Sequence, residues 1–242
     1  LGALARSDGE AVLAEAARLG QAVGVVKEGW NGFNVLQVAA ARVAGLDMGF
    51  LPGPGGRDFR AILAGVKSGD VEVVFNLGAD EIDPAALAGA FVVYQGHHGD
   101  AGVAAADVVL PGAAYTEQSG VYVNSEGRAQ MTRRANFPPG EAREDWAILR
   151  ALSDHVGKRL PYDDLFALRQ AMIAETPALG RIGSHGGAPL DLAKVGKAGP
   201  LGSEPFRSFL GDFFMTNAVA RASKTMAECS AAMSGAATVA AE

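Results

Sequence analysis

Three short apolar segments, separated by helix-like connections, constrain the fold of this chain more than any other feature. They are residues 71–77 (VEVVFNL), 91–94 (FVVY) and 107–110 (DVVL), rich in the β-branched and aromatic residues that favour strands. Pro84 stands at the first position of a short helix after the first segment, and residues 99–106 cross over after the second. Strands alternating with helices predict an α/β fold with a parallel sheet. Their nearly continuous apolar character predicts burial of both sheet faces.

The remaining pattern predicts one hairpin and several helices around this sheet. Residues 120–132 alternate in polarity about a turn at 124–127, which predicts a β-hairpin. Residues 27–34 are predicted to form a loop around Trp30. A first helix is predicted after Ser7, with Glu10 completing a capping box, and a second over 35–44 with a stop at Gly45. Three more helices are predicted from Asp58 to about 67, over 141–156, and from Pro161 to about 175. The predicted apolar faces are Leu13, Ala16, Ala17 and Val23 on the first helix, and Trp146, Leu149, Leu152 and Val156 on the helix over 141–156.

The C-terminal quarter differs in composition from the rest. Residues 178–205 are rich in Gly and Pro and poor in large apolar side chains, which predicts an extended strap. A last helix, capped by Thr216 or Asn217, is predicted to run to about residue 233. The sequence therefore predicts an α/β domain over 1–177 and a strap with a docking helix over 178–242.

Charge and cysteine content exclude some classes of protein. The 242 residues carry a net charge of −6, so no general basic field for nucleic acid is present. No secretory signal is visible, and no apolar run reaches the roughly 18 residues of a membrane span. The apolar stretch 218–233 is interrupted by Arg221, Lys224 and Glu228. Cys229 is the single cysteine and by itself forms neither an internal disulfide nor a four-cysteine cluster. The chain begins at Leu1, which is compatible with a fragment.

Acidic and histidine side chains after the first two strands are candidate ligands. Asp80, Glu81 and Asp83 follow the first strand, where a metal or a ribose binds in open α/β sheets. A solvated loop, with Asp83 capping the helix at Pro84, is the favoured interpretation because no glycine-rich phosphate loop precedes it. Adjacent histidines point apart, so His97 and His98 are interpreted as a polar loop rather than a metal site.

The lone cysteine and a group of arginines each allow two interpretations. Cys229 is interpreted as a packing residue, with a single cluster ligand as the alternative. Arg128, Arg133 and Arg134 form a basic patch, for which contact with a partner or ligand and a solvated face are equally favoured. Neither a dinucleotide fingerprint, nor a Walker loop, nor a nucleophile elbow is found in its proper context. The residues themselves thus assign no catalytic, cofactor-binding or metal-binding role.

The segment 107–130 resembles the signature of the molybdopterin oxidoreductase superfamily. The matching residues are Leu110-Pro111, Glu117, Gly120, Tyr122, Asn124, Glu126-Gly127-Arg128 and Gln130. Gly78-Ala79-Asp80-Glu81 stands where active enzymes of the superfamily usually carry Gly-x-Asn-Pro. The resemblance implies the fold of these enzymes, and the departure argues against a bound pterin.

Three other stretches resemble the large iron–sulfur subunit of respiratory complex I, the proton-pumping NADH:quinone oxidoreductase. They are residues 29–34 (GWNGFN), 142–146 (AREDW) and 212–229 (DFFMTNAVARASKTMAEC). The resemblance implies the C-terminal, cofactor-free portion of that subunit, with the 2Fe-2S and 4Fe-4S clusters in its N-terminal portion. It also implies a scaffold in the peripheral arm, bound to other subunits on the cytoplasmic face of the bacterial inner membrane or the matrix side in mitochondria. Phe213, Phe214 and Met215 are candidate anchors for a partner. The alternatives are an active molybdopterin enzyme and a stand-alone dinucleotide-binding module over 1–150.

Overall fold

A computed structural model describes residues 6–184, 190–208 and 210–239. Within them the helices are α1 (Gly9–Ala22), α2 (Arg42–Asp47), α3 (Phe59–Ser68), α4 (Ala101–Ala104), α5 (Asp145–His155), α6 (Leu165–Glu175), α7 (Ala218–Arg221) and α8 (Lys224–Val239). The strands are β1 (Val26–Lys27), β2 (Trp30–Asn31), β3 (Val73–Leu77), β4 (Phe91–Gly96), β5 (Val108–Pro111), β6 (Val121–Val123) and β7 (Ala129–Met131). None of the helices in these ranges is long and apolar enough to cross a membrane.

The chain forms two compact units that interleave along the sequence. The first unit takes residues 1–50, 121–132 and 169–211, and the second takes residues 51–120, 133–168 and 212–242. The boundary after residue 177 stays a prediction.

The second unit contains the parallel sheet that the sequence predicts. Its strand order is β3-β4-β5, and both pairs are parallel, with Val74 opposite Val92 and Tyr94 opposite Val109. A 3-10 turn at Pro84–Leu87 connects β3 to β4, and α4 connects β4 to β5. Asp58 caps α3 by accepting a hydrogen bond from the Ala61 amide, as predicted. The α/β fold class is thereby confirmed.

Burial of both sheet faces holds only in part, even for the central strand. Val92 and Tyr94 point to one face of β4 and are 1% and 2% exposed, whereas Phe91 points to the opposite face and is 49% exposed. The flanking strands contradict the prediction, since Val73 on β3 is 61% exposed and Val109 on β5 is 45% exposed. β3 and β5 are the edges of a three-stranded sheet, so fewer of the described residues cover them.

The first unit contains the predicted hairpin. β6 and β7 pair antiparallel, with Tyr122 opposite Gln130. The turn is fixed by Asn124, whose Oδ1 accepts from the amides of Glu126 and Arg128, and by Gly127, whose φ of +81° suits glycine. Buried residues of the hairpin and its neighbours form a small core: Ala44, Val123, Ala129 and Leu179.

The helix predicted over 35–44 is wrong in its position. Residues 35–41 are not helical, and α2 begins at Arg42 and continues through Gly45. Its end is set by Gly49, whose φ of +67° gives the left-handed conformation that terminates helices. Packing of Ala44 in the hairpin core decides the position, and that contact is not visible in local sequence. The predicted loop at 27–34 contains β2 and the last residue of β1, which pair antiparallel.

The helix predicted over 141–156 begins four residues later, at Asp145. The Arg143 amide donates to the Pro111 carbonyl, so this segment extends the edge of the sheet instead of starting a helix. The predicted face is also wrong at its end, because Val156 is 63% exposed. Arg150 and Ser153 are buried instead, since the Arg150 guanidinium reaches Asp154 and Asp163 at 2.7 and 2.6 Å.

The first helix and α6 start at residues other than those predicted. Asp8, not Ser7, precedes α1, and its carboxylate accepts from Arg6 and from the Gly202 amide rather than from the helix. The predicted face of α1 is wrong at Ala16 and Val23, which are exposed. α6 begins at Leu165 rather than at Pro161, after Asp164 accepts from the Ala167 amide.

The C-terminal segment consists of two helices rather than one. Asn217 caps α7 by accepting from the Ala220 amide, as predicted, but α7 ends at Arg221 and α8 starts at Lys224. In the predicted strap, Leu179 and Leu192 are 1% and 8% exposed, each within a 3-10 turn. Residues 185–189 of the strap lie outside the described residues.

Candidate functional site

The carboxyl ends of β3 and β4 form the edge where ligands bind in open α/β sheets. The turn after β3 is held by two hydrogen bonds, from Asn76 Nδ2 to the Ala79 carbonyl at 2.7 Å and from the Gly78 amide to the Gln95 carbonyl at 2.8 Å. Gly78 has a φ of +63°, which lets the chain reverse there. These contacts place the Asp80 side chain at the edge, where it is only 9% exposed.

A guanidinium from the C-terminal segment occupies this edge. Arg221 Nη2 lies 2.6 Å from Asp80 Oδ2, and Arg221 Nε donates to Asp100 Oδ2 at 2.5 Å. Asp100 follows β4 and also accepts from the Ala101 amide at the start of α4. Arg221 thus joins the loops that follow two adjacent strands.

The electrostatics of this group follow from its ion pairs. The hydrogen bond from Arg221 holds the pKa of Asp100 below its usual value, and the bond to Asp100 raises the pKa of Arg221. Burial, with the nearby charges of Asp80 and Asp100, raises the pKa of Tyr94, whose ring packs against Gly96 and Gly102. All three effects favour a fixed charge distribution over proton exchange near neutral pH.

A second polar group lies where β4 and β5 end. Gln95 is fully buried, and its Nε2 donates to Asp145 Oδ1 at 2.8 Å. Gln118 Nε2 donates to the other carboxylate oxygen of Asp145 at 3.1 Å. Gly112 leaves the room for Asp145, since a Cβ at Gly112 would lie 2.7 Å from Asp145 Oδ1. These amides orient Asp145 as the first residue of α5.

The two histidines do not point apart, which corrects the sequence interpretation. His97 Nδ1 and His98 Nδ1 are 2.6 Å apart, and the rings meet edge to face with centroids 4.9 Å apart. At this distance one ring donates and the other accepts, so at least one imidazole is neutral. Desolvation of its ring and the neighbouring His98 lower the pKa of His97. The described residues contain no group of three or more His, Cys, Asp or Glu side chains that could hold a metal ion.

The three acids after β3 have separate roles. Asp83 accepts from the Ala85 amide and caps the 3-10 turn, as the favoured interpretation predicted. Glu81 is exposed. Asp80 is not a solvated loop residue, because it is buried and paired with Arg221. In the sequence Arg221 only interrupts an apolar stretch, and nothing local indicates its pairing with residues more than a hundred positions earlier.

The arginines of the predicted basic patch are placed separately. Arg128 Nη1 donates to the Gly183 carbonyl at 2.7 Å in the first unit. In the second unit, Arg134 pairs with Glu144 at 2.9 Å and lies over the Phe137 ring, while Arg133 is exposed. Cys229 is half-buried in α8.

Residues of the 107–130 signature hold local structure. Glu117 Oε2 accepts from the Ala114 amide at 2.9 Å and fixes the turn after β5. Asn124 and Gly127 shape the hairpin turn. These residues of the signature therefore fix the path of the chain as it leaves the sheet.

Comparison with known proteins agrees with this architecture. The sequence profile of the molybdopterin oxidoreductase family matches residues 1–155, so the chain belongs to that family. A second profile, that of the C-terminal region of the G subunit of NADH-ubiquinone oxidoreductase, matches residues 176–229.

Individual relatives are similar over most of the chain. The mitochondrial 78 kDa subunit of NADH-ubiquinone oxidoreductase from Neurospora crassa is 46% identical over 85% of the chain, and that from Candida albicans is 43% identical over 83%. The mitochondrial NADH dehydrogenase [ubiquinone] iron-sulfur protein 1 from Solanum tuberosum is 40% identical over 95%. The chain spans 27%, 28% and 30% of the length of these three relatives.

The residues at the sheet edge do not fit the cofactor that names the family. A phosphate-bearing pterin requires backbone amides or free cations at the carboxyl edge. This edge instead presents the carboxylates of Asp80, Asp100 and Asp145, and Arg221 is already paired with two of them. The arrangement repels an anionic ligand.

Proposed function

We propose that the chain acts as a structural scaffold within the large iron–sulfur subunit of complex I. In this proposal it forms the cofactor-free, molybdopterin-enzyme-like portion of that subunit in the peripheral arm. It braces the portion whose 2Fe-2S and 4Fe-4S clusters relay electrons from NADH towards quinone. It supplies no catalytic residue, no cofactor-binding residue and no metal ligand to the reaction.

The carboxyl edge of the sheet carries this proposal. Its acidic side chains are engaged by Arg221, Gln95 and Gln118, which supports the proposal that no anionic cofactor binds there. The similarity of 40–46% to complex I subunits supports the assignment of the scaffold to that assembly.

The proposed partners are other subunits of the peripheral arm, which lies on the cytoplasmic face of the bacterial membrane or the matrix side of the mitochondrial one. Residues 178–242 are proposed to contact a partner through the strap and the two C-terminal helices, α7 and α8. Phe213 supports this role, because it is 72% exposed and packs edge to face on Phe214. An exposed aromatic of this kind is typical of an interface anchor.

Deletion of residues 206–242 from the full subunit tests the docking role. We expect impaired assembly of the complex and unchanged redox spectra in whatever assembles. Phe213→Ser is the sharper variant, and Phe166→Ser on α6 is its control because Phe166 is equally exposed at 72%. Assembly at the normal level in both the deletion and Phe213→Ser would refute the docking role. So would equal losses in Phe213→Ser and Phe166→Ser.

A further inference from the structure

We propose that Arg221 is an internal plug, which holds the C-terminal segment 212–230 across the carboxyl edge of the sheet in the position of a ligand. The inference deepens the proposed scaffold function and rests on it for the statement that this edge takes no cofactor. In this proposal the side chain of Arg221 closes the edge to ligands.

The first support is the way in which Arg221 bridges two strands. Its Nη2 lies 2.6 Å from Asp80, which follows β3, and its Nε lies 2.5 Å from Asp100, which follows β4. A planar guanidinium carries several N–H groups, so Nε donates a hydrogen bond to Asp100 while Nη2 forms an ion pair with Asp80 that is not aligned as a hydrogen bond. A lysine ammonium at the same position cannot match this geometry.

The second support is the burial of the acids. The side chains of Asp80 and Asp100 are 9% and 27% exposed, and Arg221 itself is 25% exposed. A carboxylate removed from water to this extent requires a counter-ion, because an unpaired buried charge is strongly unfavourable. Arg221 is that counter-ion, so loss of its guanidinium while the tail stays docked leaves two buried carboxylates uncompensated.

The third support is the folding of the tail around this side chain. The Asp212 carboxylate accepts from the Phe214 amide at 2.8 Å and from the Ser230 hydroxyl, which ties the start of the segment to α8. Arg221 Nη1 donates to the Met215 carbonyl at 3.3 Å, and Asn217 caps α7. The guanidinium is thereby presented from a formed element rather than from a free chain end.

These contacts have a consequence for ligands of the edge. A phosphate-bearing ligand entering there would displace Arg221 and meet Asp80 and Asp100 as an anion facing two carboxylates. Docking of the tail and binding of such a ligand are therefore mutually exclusive, and the ion pairs favour the docked tail.

Hydrogen exchange of the tail amides in the assembled complex tests the plug. In Arg221→Gln we expect exchange of the hydrogen-bonded amides of residues 220–222 to accelerate about tenfold or more, the factor that corresponds to losing about 1.4 kcal/mol of charged hydrogen bonding. Lys224→Gln is the matched control on the same tail, because Lys224 is 92% exposed and its ion pair with Glu228 is long at 3.8 Å. Arg221→Lys should lie between the two variants, since it keeps the charge but not the fork.

Removal of the two carboxylates gives an independent test. In a background of Asp80→Asn with Asp100→Asn, the further change Arg221→Gln should add little, because no buried charge then needs a counter-ion. If Arg221→Gln alone fails to accumulate, the triple variant should accumulate. Equal exchange of the tail amides in Arg221→Gln and Lys224→Gln would overturn the plug. So would an effect of Arg221→Gln that is as large in the double Asp→Asn background as in the wild type, or a triple variant that still fails to accumulate. Those results leave the scaffold role to its own tests, which are the assembly of the deletion variant and the molybdenum content of the complex.

Discussion

Replacement of Gly102 by alanine should destabilise the centre of the sheet. Gly102 lies in α4 directly against the ring of Tyr94, which is 2% exposed. A Cβ at this position would lie closest to Tyr94 Cε2, and 2.8 Å from Cδ2 and 2.9 Å from Cζ. Carbon atoms pack at about 3.5–4.0 Å, so the ring must retreat by about 1 Å or more.

The magnitude follows from two opposing effects. Overpacking of a buried side chain costs about 1–3 kcal/mol. Alanine in place of a helical glycine returns about 0.5–1 kcal/mol. We therefore expect the opening free energy of the β4 amides to fall by about 1–2 kcal/mol, measured by hydrogen exchange in the purified protein.

A matched glycine on the same connection provides the control. A Cβ at Gly99 meets no atom within 4 Å, so Gly99→Ala should leave β4 protection unchanged. In a Tyr94→Leu background, which removes the ring, Gly102→Ala should lose most of its effect. Equal protection in Gly102→Ala and Gly99→Ala would refute the packing argument, and an undiminished effect in the leucine background would do the same.

Two further predictions concern the hairpin core and the pH dependence of the tail. Leu179→Ala should lower the opening free energy of the β7 amides by about 2–4 kcal/mol, because Leu179 is 1% exposed in that core. Hydrogen exchange of residues 129–131 measures this free energy, and a loss under about 1 kcal/mol would contradict the prediction. The pKa of Asp100 is lower in the folded protein than its unfolded value of about 3.9, so its pair with Arg221 stabilises the tail above that pH and loses strength as pH falls through the folded pKa. The exchange rate of the amides of residues 220–222, divided by the intrinsic rate at each pH, should therefore be level from about pH 7 to 5 and rise below about pH 4. An identical rise in Arg221→Gln would exclude the ion pair as its source.

The elements that the sequence predicts well are those specified by neighbouring residues. The strands β3, β4 and β5 are continuous β-branched segments, and the hairpin turn depends on Asn124 and Gly127 within four residues of each other. The caps at Asp58 and Asp83 likewise require only a side chain and an amide two or three residues on. Local chemistry is sufficient for all of these.

The elements that the sequence mispredicts depend on distant contacts. α5 starts late because Arg143 bonds to Pro111, and α2 is displaced because Ala44 packs in the hairpin core. The prediction of the candidate site is incomplete for the same reason. Asp80 was visible as an acid after a strand, but its partner Arg221 lies 141 positions further along the chain. Gln95 could have been recognised as a site residue from the sequence, because it is a polar residue at the end of an apolar strand.

Molybdenum content tests most directly whether this edge of the sheet is closed to a cofactor. The measurement is elemental analysis of molybdenum and tungsten in the purified complex that contains this chain. Because Arg221 engages Asp80 and Asp100, we expect neither metal above trace level. Stoichiometric amounts of either metal, retained through purification, would contradict the scaffold role and indicate an active molybdopterin enzyme instead.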